Sequence, residues 1–557
     1  MKSFSHESRE DNSRNRDTLL VTQLAAAISI LTFMIYLRRG DLLLYGDAVA
    51  HINIARRIFD SKTPGLLQLG TVWLPLPHLL MLPFLFSKVL WQTGIGGSIP
   101  SMIAYVLGVA GIFRLVRGSL AFHARSDSAG RIPAWLAAGV YAANPNLLYL
   151  QSTAMTESLY LALFIWAVVF FTECAQVEDW SDERKSKDAS SAMIKSGFCL
   201  MGACLTRYDG WFLAGIMCAA AIILSRRTGT NTKSMRIAVR NFVLLAAAAP
   251  ILWLAYNAVV YRNPLEFANG PYSAKAIGQE SANPSMPSHP GAGNLVVAFS
   301  FFLKSAELNV ASVTAIQRLW VALLFLGTAM TLVFDTRLWP LLLLWVPVPF
   351  YMLSISYAGV PVFLPVWWPH SYYNLRYGLQ LLPAFAVFVA LFAHFSFGLV
   401  LKKSSKTAIG IALLLLVAGS YILIWHRHPV CFTEASVNSR SRIALETALA
   451  ENLRKLPADS TLLMYVGNHV GALQDAGISL SRVINEGNHH PWKKPSDPQG
   501  LWERALANPR QYADYVVSSA GDEVASQVKK EDLSSLVVVH TVGQPAATIY
   551  WTHRPPH

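Results

Sequence analysis

The first long apolar run of this sequence is followed by the stretch YGDAVAHINIARRIF, residues 45–59. Asp47 and His51 are four residues apart, so a helix would place both side chains on one face. The rest of the stretch is apolar on one side and basic on the other, with Arg56 and Arg57 on the basic side. This pattern is typical of a helix that lies flat on a membrane surface.

The composition places the whole chain in a membrane. Of its 557 residues 53% are hydrophobic and only 14% are charged, whereas soluble domains carry roughly a quarter charged residues. Apolar runs of about twenty residues, long enough to cross a bilayer, recur from residue 19 to residue 425. The net charge of +13 does not predict a nucleic-acid partner, because most Lys and Arg residues lie in short loops where membrane topology explains them.

Basic loops are expected to be cytoplasmic, and this rule sets the predicted topology of a multi-pass protein of the cell (inner) membrane. A cytoplasmic tail, 1–18, precedes a membrane domain, 19–427, with outer loops at 38–97 and 262–315. The amino terminus is then cytoplasmic and the carboxyl terminus extracytoplasmic. The predicted spans are 19–37, 98–117, 132–150, 157–173, 193–206, 210–225, 241–261, 316–334, 338–356, 378–400 and 407–426.

Residues 72–91 form an apolar run that is not counted as a span. Counting it would move every later basic loop to the outside, and it contains Pro75, Pro77 and Pro83, which disturb the backbone hydrogen bonds that lipid demands. We expect this run to lie in the interface or to re-enter the membrane, as part of the first outer loop.

Residues 428–557 have the composition of a soluble, extracytoplasmic α/β domain. Short strands are predicted at 461–466, 515–518, 536–539 and 548–551, and helices at 442–456 and near Leu501 and Val524. The five cysteines show no metal-ligand spacing or paired framework.

The predicted topology places several polar clusters on the outer face, although only the basic loops were used to derive it. Ionisable groups are costly in lipid, so these clusters predict one water-facing site. Its candidate residues are Asp47, His51, Glu157, Arg207, Asp209, His370, Tyr373 and Arg376.

Asp47 has two readings: a general base that removes a proton from an acceptor hydroxyl, or a helix cap and counter-charge for Arg56 and Arg57. Glu157 either orients the acceptor and tunes the site, or caps the next helix. His51 is a phosphate contact, a metal ligand or a simple polar residue. One acid and one histidine are too few for a metal site, so no metal or other cofactor is expected.

The remaining candidates also have structural readings. Arg207 and Asp209 could mainly satisfy each other across a turn. Arg376 has the forked donors that suit phosphate oxygens, and Tyr373 stands beside it. His370 follows two tryptophans that fit an interfacial belt, and its role stays open.

In these motifs the chain resembles the GT-C superfamily of integral-membrane glycosyltransferases, in particular the dolichyl-phosphate-mannose–protein mannosyltransferase-like branch. The resemblance covers roughly residues 20–425. It rests on GDAVAH at 46–51, LPLP at 74–77, NP at 144–145 before MTESL at 155–159, TRYDGW at 206–211 and RY at 376–377.

The resemblance implies transfer of a sugar, with inversion, from a polyprenyl-phosphate carrier to a lipid, glycan or protein acceptor on the outer face. Asp47 matches the family's first-loop acid, the base, and Arg376 with Arg207 would hold the lipid phosphate. Many relatives have two adjacent acids in this loop, whereas here Ala48 follows Asp47.

Two other functions agree less well with the sequence. A lipid or solute transporter predicts inverted repeats and ionisable groups near mid-membrane, whereas the charges of this chain gather at one predicted surface. A receptor that binds its ligand with residues 428–557 would not need eleven spans as an anchor.

Overall fold

The computed structural model describes residues 2–121, 130–177, 180, 182–226, 232–270, 273, 276, 289–357, 360–400, 402–467, 469–488, 500–531 and 533–553. Residues 271–272, 274–275 and 277–288 of the predicted outer loop 262–315 lie outside the described residues.

Helices build the chain from its amino terminus to residue 427. They are α1 (Lys2–Arg39), α2 (Gly46–Arg57), α3 (Leu76–Leu85), α4 (Lys88–Gln92), α5 (Ile95–Ala121), α6 (Arg131–Ala142), α7 (Pro145–Gln151), α8 (Glu157–Ala175), α9 (Glu183–Cys204), α10 (Asp209–Ser225), α11 (Lys233–Val260), α12 (Glu266–Asn269), α13 (Leu295–Val310), α14 (Thr314–Phe334), α15 (Pro347–Tyr357), α16 (Leu382–Leu399) and α17 (Lys403–Arg427). Two 3₁₀ segments, Thr336–Trp345 and Leu375–Leu381, lead into α15 and α16.

The structure confirms a helical, multi-pass membrane domain, and each of the eleven predicted spans coincides with helical backbone. Eight helical segments of the described chain are long and apolar enough to cross a membrane. The prediction of about eleven spans is therefore corrected by this criterion. Three predicted spans are outside these eight segments. The span 132–150 is broken into α6 and α7, the span 193–206 lies at the end of α9, and the span 210–225 lies in α10, which has only 17 residues.

The break between α6 and α7 has a local cause. The Asn144 side chain accepts hydrogen bonds from the backbone N–H groups of Asn146 and Leu147, and Pro145 occupies the first position of α7. Both features favour a helix start at this point.

Residues 72–91 do not form one long helix. They contain α3, of ten residues, and most of α4, of five residues, and Ser87 caps α4 by accepting from Leu90 N–H. Pro75 and Pro77 flank the first residue of α3, where proline is tolerated because no intrahelical donor is lost. The placement of residues 72–91 at the membrane interface stays a prediction.

The carboxyl-terminal region is an α/β unit, as predicted. Its elements are α18 (Val430–Leu453), β1 (Leu462–Met464), α19 (Val470–Ala476), β2 (Val483–Ile484), α20 (Leu501–Ala507), α21 (Pro509–Tyr512), β3 (Tyr515–Ser519), α22 (Glu523–Gln527), β4 (Ser534–Val539) and β5 (Ala547–Trp551). The sheet order is β2-β1-β3-β5-β4.

The sheet is mixed. Strand β1 pairs in parallel with β2 and β3, with Leu463 opposite both Ile484 and Val516, whereas β5 is antiparallel to β3 and β4. Leu463, Ile484 and Val516 form a core with Trp502 and Val524 from the covering helices. All four predicted strands are present, and the two-residue strand β2 was not predicted.

Two helices near the predicted site differ from the prediction: one was not predicted at all, and the other was predicted to begin too late. Helix α13 lies in the predicted outer loop, and α18 begins at Val430 instead of Arg442. Ser305 and Asn309 of α13 donate to the carbonyl oxygen of Leu375, each at 2.8 Å. A Cβ on Gly378 would overlap the backbone at Ser305, so α13 packs directly on the 3₁₀ segment that carries Arg376.

Membrane helices α14 and α16 approach each other closely at Gly327. A Cβ there would overlap the carbonyl oxygen of Phe388 on α16. Small residues allow such backbone contacts, which drive helix association in lipid.

We predict that Gly327→Ala lowers the stability of the membrane domain by about 1–3 kcal/mol, because α14 and α16 must separate. Gly419→Ala in α17 is the matched control, since a Cβ there meets no atom within 4 Å. Thermal unfolding in nanodiscs measures both variants. Equal stability of the two would contradict the close packing.

Candidate functional site

The loop that carries Asp47 is held from two sides. Tyr45 is the extended residue before α2, and its hydroxyl donates to the carbonyl oxygen of Cys431 at 2.9 Å. Arg442 Nη2 donates to the carbonyl oxygens of Leu43 and Leu44 at 2.9 and 3.0 Å. Asp47 itself lies in the first turn of α2, where the helix dipole favours a carboxylate.

Arg376 lies at the centre of the site, in the 3₁₀ segment that follows the left-handed residue Asn374 (φ 59°). Its Nη2 donates to Asp47 Oδ2 at 2.6 Å, its Nε to Glu157 Oε1 at 3.2 Å and its Nη1 to Glu434 Oε1 at 3.0 Å. One guanidinium group thus binds carboxylates from α2, α8 and α18.

Glu157 connects the two arginines that the sequence singled out. Its side chain has no exposed surface, and its Oε1 also accepts from Arg207 Nη1 at 3.3 Å. Its Oε2 is buried and has no hydrogen-bond partner among the described residues. Glu157 is the first residue of α8, so its carboxylate also lies where the helix dipole stabilises it.

Arg207 and Asp209 pair with each other, as the structural reading of the sequence expected, and they also join the network. Arg207 Nε lies 3.1 Å from Asp209 Oδ1. Tyr351 accepts from Arg207 Nη2 at 3.1 Å and donates to Asp209 Oδ2 at 3.0 Å. The ring of Tyr377 lies between the arginines, 4.9 Å from the Arg207 Cζ and 5.2 Å from that of Arg376, within cation–π range.

Asp47 differs from the other acids of the network in its exposure. Its side chain is 40% exposed, whereas those of Glu157, Asp209 and Glu434 are at most 5% exposed. Asp47 is therefore the acid that a substrate can reach most directly.

The network contains four carboxylates and two guanidinium groups, which leaves an excess of two formal negative charges. In the described part of the chain, no group of three or more His, Cys, Asp or Glu side chains could hold a metal ion. An excess of negative charge opposes the entry of a further anion, so an incoming phosphate needs unoccupied donors.

Three predicted site residues have no hydrogen bond to the network. His51 is buried and contacts His78, with 2.9 Å between Nδ1 and Nε2. His370 is exposed, and its Nδ1 lies 3.1 Å from the carbonyl oxygen of Pro365. Tyr373 has an exposed side chain, and its backbone pairs with Phe363.

Sequence reasoning missed Glu434, because it assigned residues 428–557 to a separate soluble domain. Glu434 is 1% exposed, and it accepts from the backbone N–H groups of Asn374 and Leu375 as well as from Arg376. The available signal was an acid within an apolar segment directly after the last span. His78 was missed because it was read as part of an interfacial apolar run.

Similarity to known proteins is found in the structure and not in the sequence. No protein-family model matches the sequence, and no curated protein matches it. Among solved structures, ArnT from Cupriavidus metallidurans bound to undecaprenyl phosphate superimposes with a TM-score of 0.57 at 14% identity, over 94% of this chain and 97% of ArnT. The apo state of ArnT from the same organism superimposes with a TM-score of 0.56 at 14% identity, over 96% of this chain and 98% of ArnT.

The oligosaccharyltransferase AglB from Archaeoglobus fulgidus, in complex with an inhibitory peptide and a dolichol-phosphate, gives a TM-score of 0.48 at 12% identity, over 96% of this chain and 74% of AglB. The likeness to ArnT spans nearly the whole of both chains. This chain therefore has the GT-C fold that its motifs predicted, whereas the mannosyltransferase-like branch stays a prediction.

We predict that Glu434→Gln destabilises the protein by about 1–3 kcal/mol, because the amide must turn an N–H group toward a buried donor, either Leu375 N–H or Arg376. Glu451→Gln is the control, since Glu451 is exposed on the same helix. Differential scanning fluorimetry in detergent measures both. A loss no larger than that of the control would contradict the buried contacts of Glu434.

Proposed function

We propose that this protein is a glycosyltransferase that moves a sugar from a polyprenyl-phosphate carrier to a lipid, glycan or protein acceptor on the extracytoplasmic face of the membrane. The observation that supports it most is a single accessible carboxylate, Asp47, at the edge of a buried arginine–carboxylate network. The fold shared with ArnT bound to undecaprenyl phosphate supports the choice of donor.

In the proposed reaction Asp47 is the general base. It accepts the proton of an acceptor hydroxyl while that oxygen attacks the anomeric carbon of the sugar. The bond from the anomeric carbon to the phosphate oxygen breaks on the opposite side, and the phosphate leaves with the bonding electrons. Direct displacement inverts the anomeric configuration, and a second catalytic carboxylate as nucleophile is not needed.

A phosphate leaving group needs positive charge and hydrogen-bond donors, and no strong acid. Arg376 has five N–H groups, of which Asp47, Glu157 and Glu434 bind three. The other two have no partner in the described part of the chain, and we propose that they bind the lipid phosphate. Arg207 adds a second positive charge nearby, linked through Glu157, and the proposed reaction uses no metal or other cofactor.

The remaining predicted residues take supporting roles in this proposal. Glu157 orients Arg376 and Arg207, and Asp209 orients Arg207. His51 lies one turn after Asp47 on α2 and contacts the substrate. Tyr373 and His370 are exposed on the segment before Arg376, where they would contact the acceptor or the donor.

We predict that Asp47→Asn lowers the rate of sugar transfer by about 10²–10⁴-fold, because the amide cannot accept the proton. Donor binding remains within a few-fold, since Arg376 keeps its other partners. The measurement is transfer from a polyprenyl-phosphate sugar by the purified protein in nanodiscs, with calorimetry for binding. Asp475→Asn, an exposed carboxylate in the carboxyl-terminal unit, is the control. Transfer at the control rate would remove Asp47 from its role.

The proposed topology places the amino terminus in the cytoplasm and residues 428–557 on the extracytoplasmic side of the inner membrane. We predict that Lys529→Cys, in a background without native cysteines, reacts with an impermeant maleimide on intact cells, and that Lys187→Cys reacts only after permeabilisation. Both lysines are exposed. The reverse pattern would place the site on the cytoplasmic face and contradict an extracytoplasmic acceptor.

A further inference from the structure

His51 and His78 form a buried pair next to the candidate site. His51 on α2 is 3% exposed and His78 on α3 is fully buried. His51 Nδ1 lies 2.9 Å from His78 Nε2, and the ring of Trp73 covers His51 with 4.8 Å between centroids. The proposed reaction does not involve His78, and it leaves open which ring nitrogen of His51 carries the proton.

A hydrogen bond at this distance requires one proton between the two nitrogens. Which of the two histidines donates it follows from the environment of His78 Nδ1, the second ring nitrogen of His78. His78 Nδ1 is buried and has no hydrogen-bond partner among the described residues. If His51 donated, a neutral His78 would carry its proton on Nδ1, as a buried N–H without an acceptor. Orphaned donors of that kind are rarer and costlier than an unused acceptor lone pair. His78 therefore donates from Nε2, and His51 accepts at Nδ1.

This hydrogen bond fixes the other nitrogen of His51. A neutral imidazole carries one proton, so acceptance at Nδ1 places the proton on Nε2. In the described part of the chain, the hydrogen bond of His51 is made at Nδ1, and no protein atom accepts a hydrogen bond from Nε2. His51 thus carries an uncommitted N–H donor, one helical turn from Asp47.

The surroundings keep the ring neutral. Burial, followed by the positive charges of Arg376 and Arg207, lowers the pKa of His51 to about 3. An uncharged N–H suits a hydroxyl oxygen, whereas phosphate is better matched by the charged donors of Arg376.

We propose that His78 is a positioning residue that holds His51 as the Nε2–H tautomer, and that this N–H binds a hydroxyl of the transferred sugar. The proposal rests on the proposed function for its substrate. It assigns His51 to recognition of the sugar, a role that differs from the three that the sequence left open: a phosphate contact, a metal ligand or a simple polar residue.

The tautomer is measured without any substrate. Protein labelled with ¹⁵N-histidine is reconstituted in lipid, and the His51 signals are identified by their loss in His51→Gln. We expect an unprotonated Nδ1 and a protonated Nε2 in the native protein. His78→Phe, which cannot donate, gives a mixture of tautomers, and His78→Gln, whose amide donates, restores the native pattern. A protonated Nδ1 in the native protein, or no change in His78→Phe, overturns the positioning role whether or not the protein transfers sugar.

The sugar contact is measured by comparing two lipids on native protein and on His51→Phe, whose side chain has no N–H donor. We expect the affinity for undecaprenyl phosphate, which has no sugar, to remain unchanged. The affinity for the sugar-bearing polyprenyl phosphate that supports transfer should fall about three- to tenfold, as for one lost hydrogen bond. Equal loss for both lipids assigns His51 to the phosphate and overturns the sugar contact. No loss for either lipid also overturns it.

Discussion

The guanidinium group of Arg376 is the interaction on which the site depends. It binds Asp47, Glu157 and Glu434, which are separated by more than a hundred residues from one another along the chain. A buried charge of either sign is costly without a partner, so each of these groups stabilises the others. The loop of Asp47, the start of α8 and the start of α18 are thereby held together at one point.

Packing contacts also hold the 3₁₀ segment of Arg376 in place. Helix α13 supports the 3₁₀ segment through Ser305 and Asn309, and Gly378 allows the two backbones to touch. Above it, Cys431, Glu434, Asn438 and Arg442 of α18 bind the loops that carry Asp47 and Arg376. Their spacing of three or four residues places them on one face of the helix. The reacting groups of the proposed function would need this kind of support from packed neighbours.

Much of the architecture could be predicted from the sequence, because hydrophobic length and charge asymmetry are local properties of the chain. All predicted spans coincide with helices, and the four predicted strands are present. The break at Asn144, the helix α13 and the short strand β2 were not predicted. The first depends on a cap within an apolar run, the second lies in a segment that reads as a loop, and the third is only two residues long.

The site was predictable only in part, for a physical reason. Asp47, Glu157, Arg207, Asp209 and Arg376 are conspicuous because isolated charges are rare in apolar surroundings. Glu434 is also an acid in an apolar segment, but its role and that of His78 come from contacts between distant segments. No local pattern reveals that an acid of the carboxyl-terminal unit binds an arginine near the last two spans.

The position of Glu434 bears on how this chain can be divided. A fragment that ends at residue 427 would keep every apolar span yet leave Arg376 with two of its three counter-ions and the backbone donors at 374–375 uncapped. Any truncation, or exchange of the outer unit between relatives, must therefore keep at least α18 with the membrane helices. By this criterion the first helix of the carboxyl-terminal unit belongs to the candidate site.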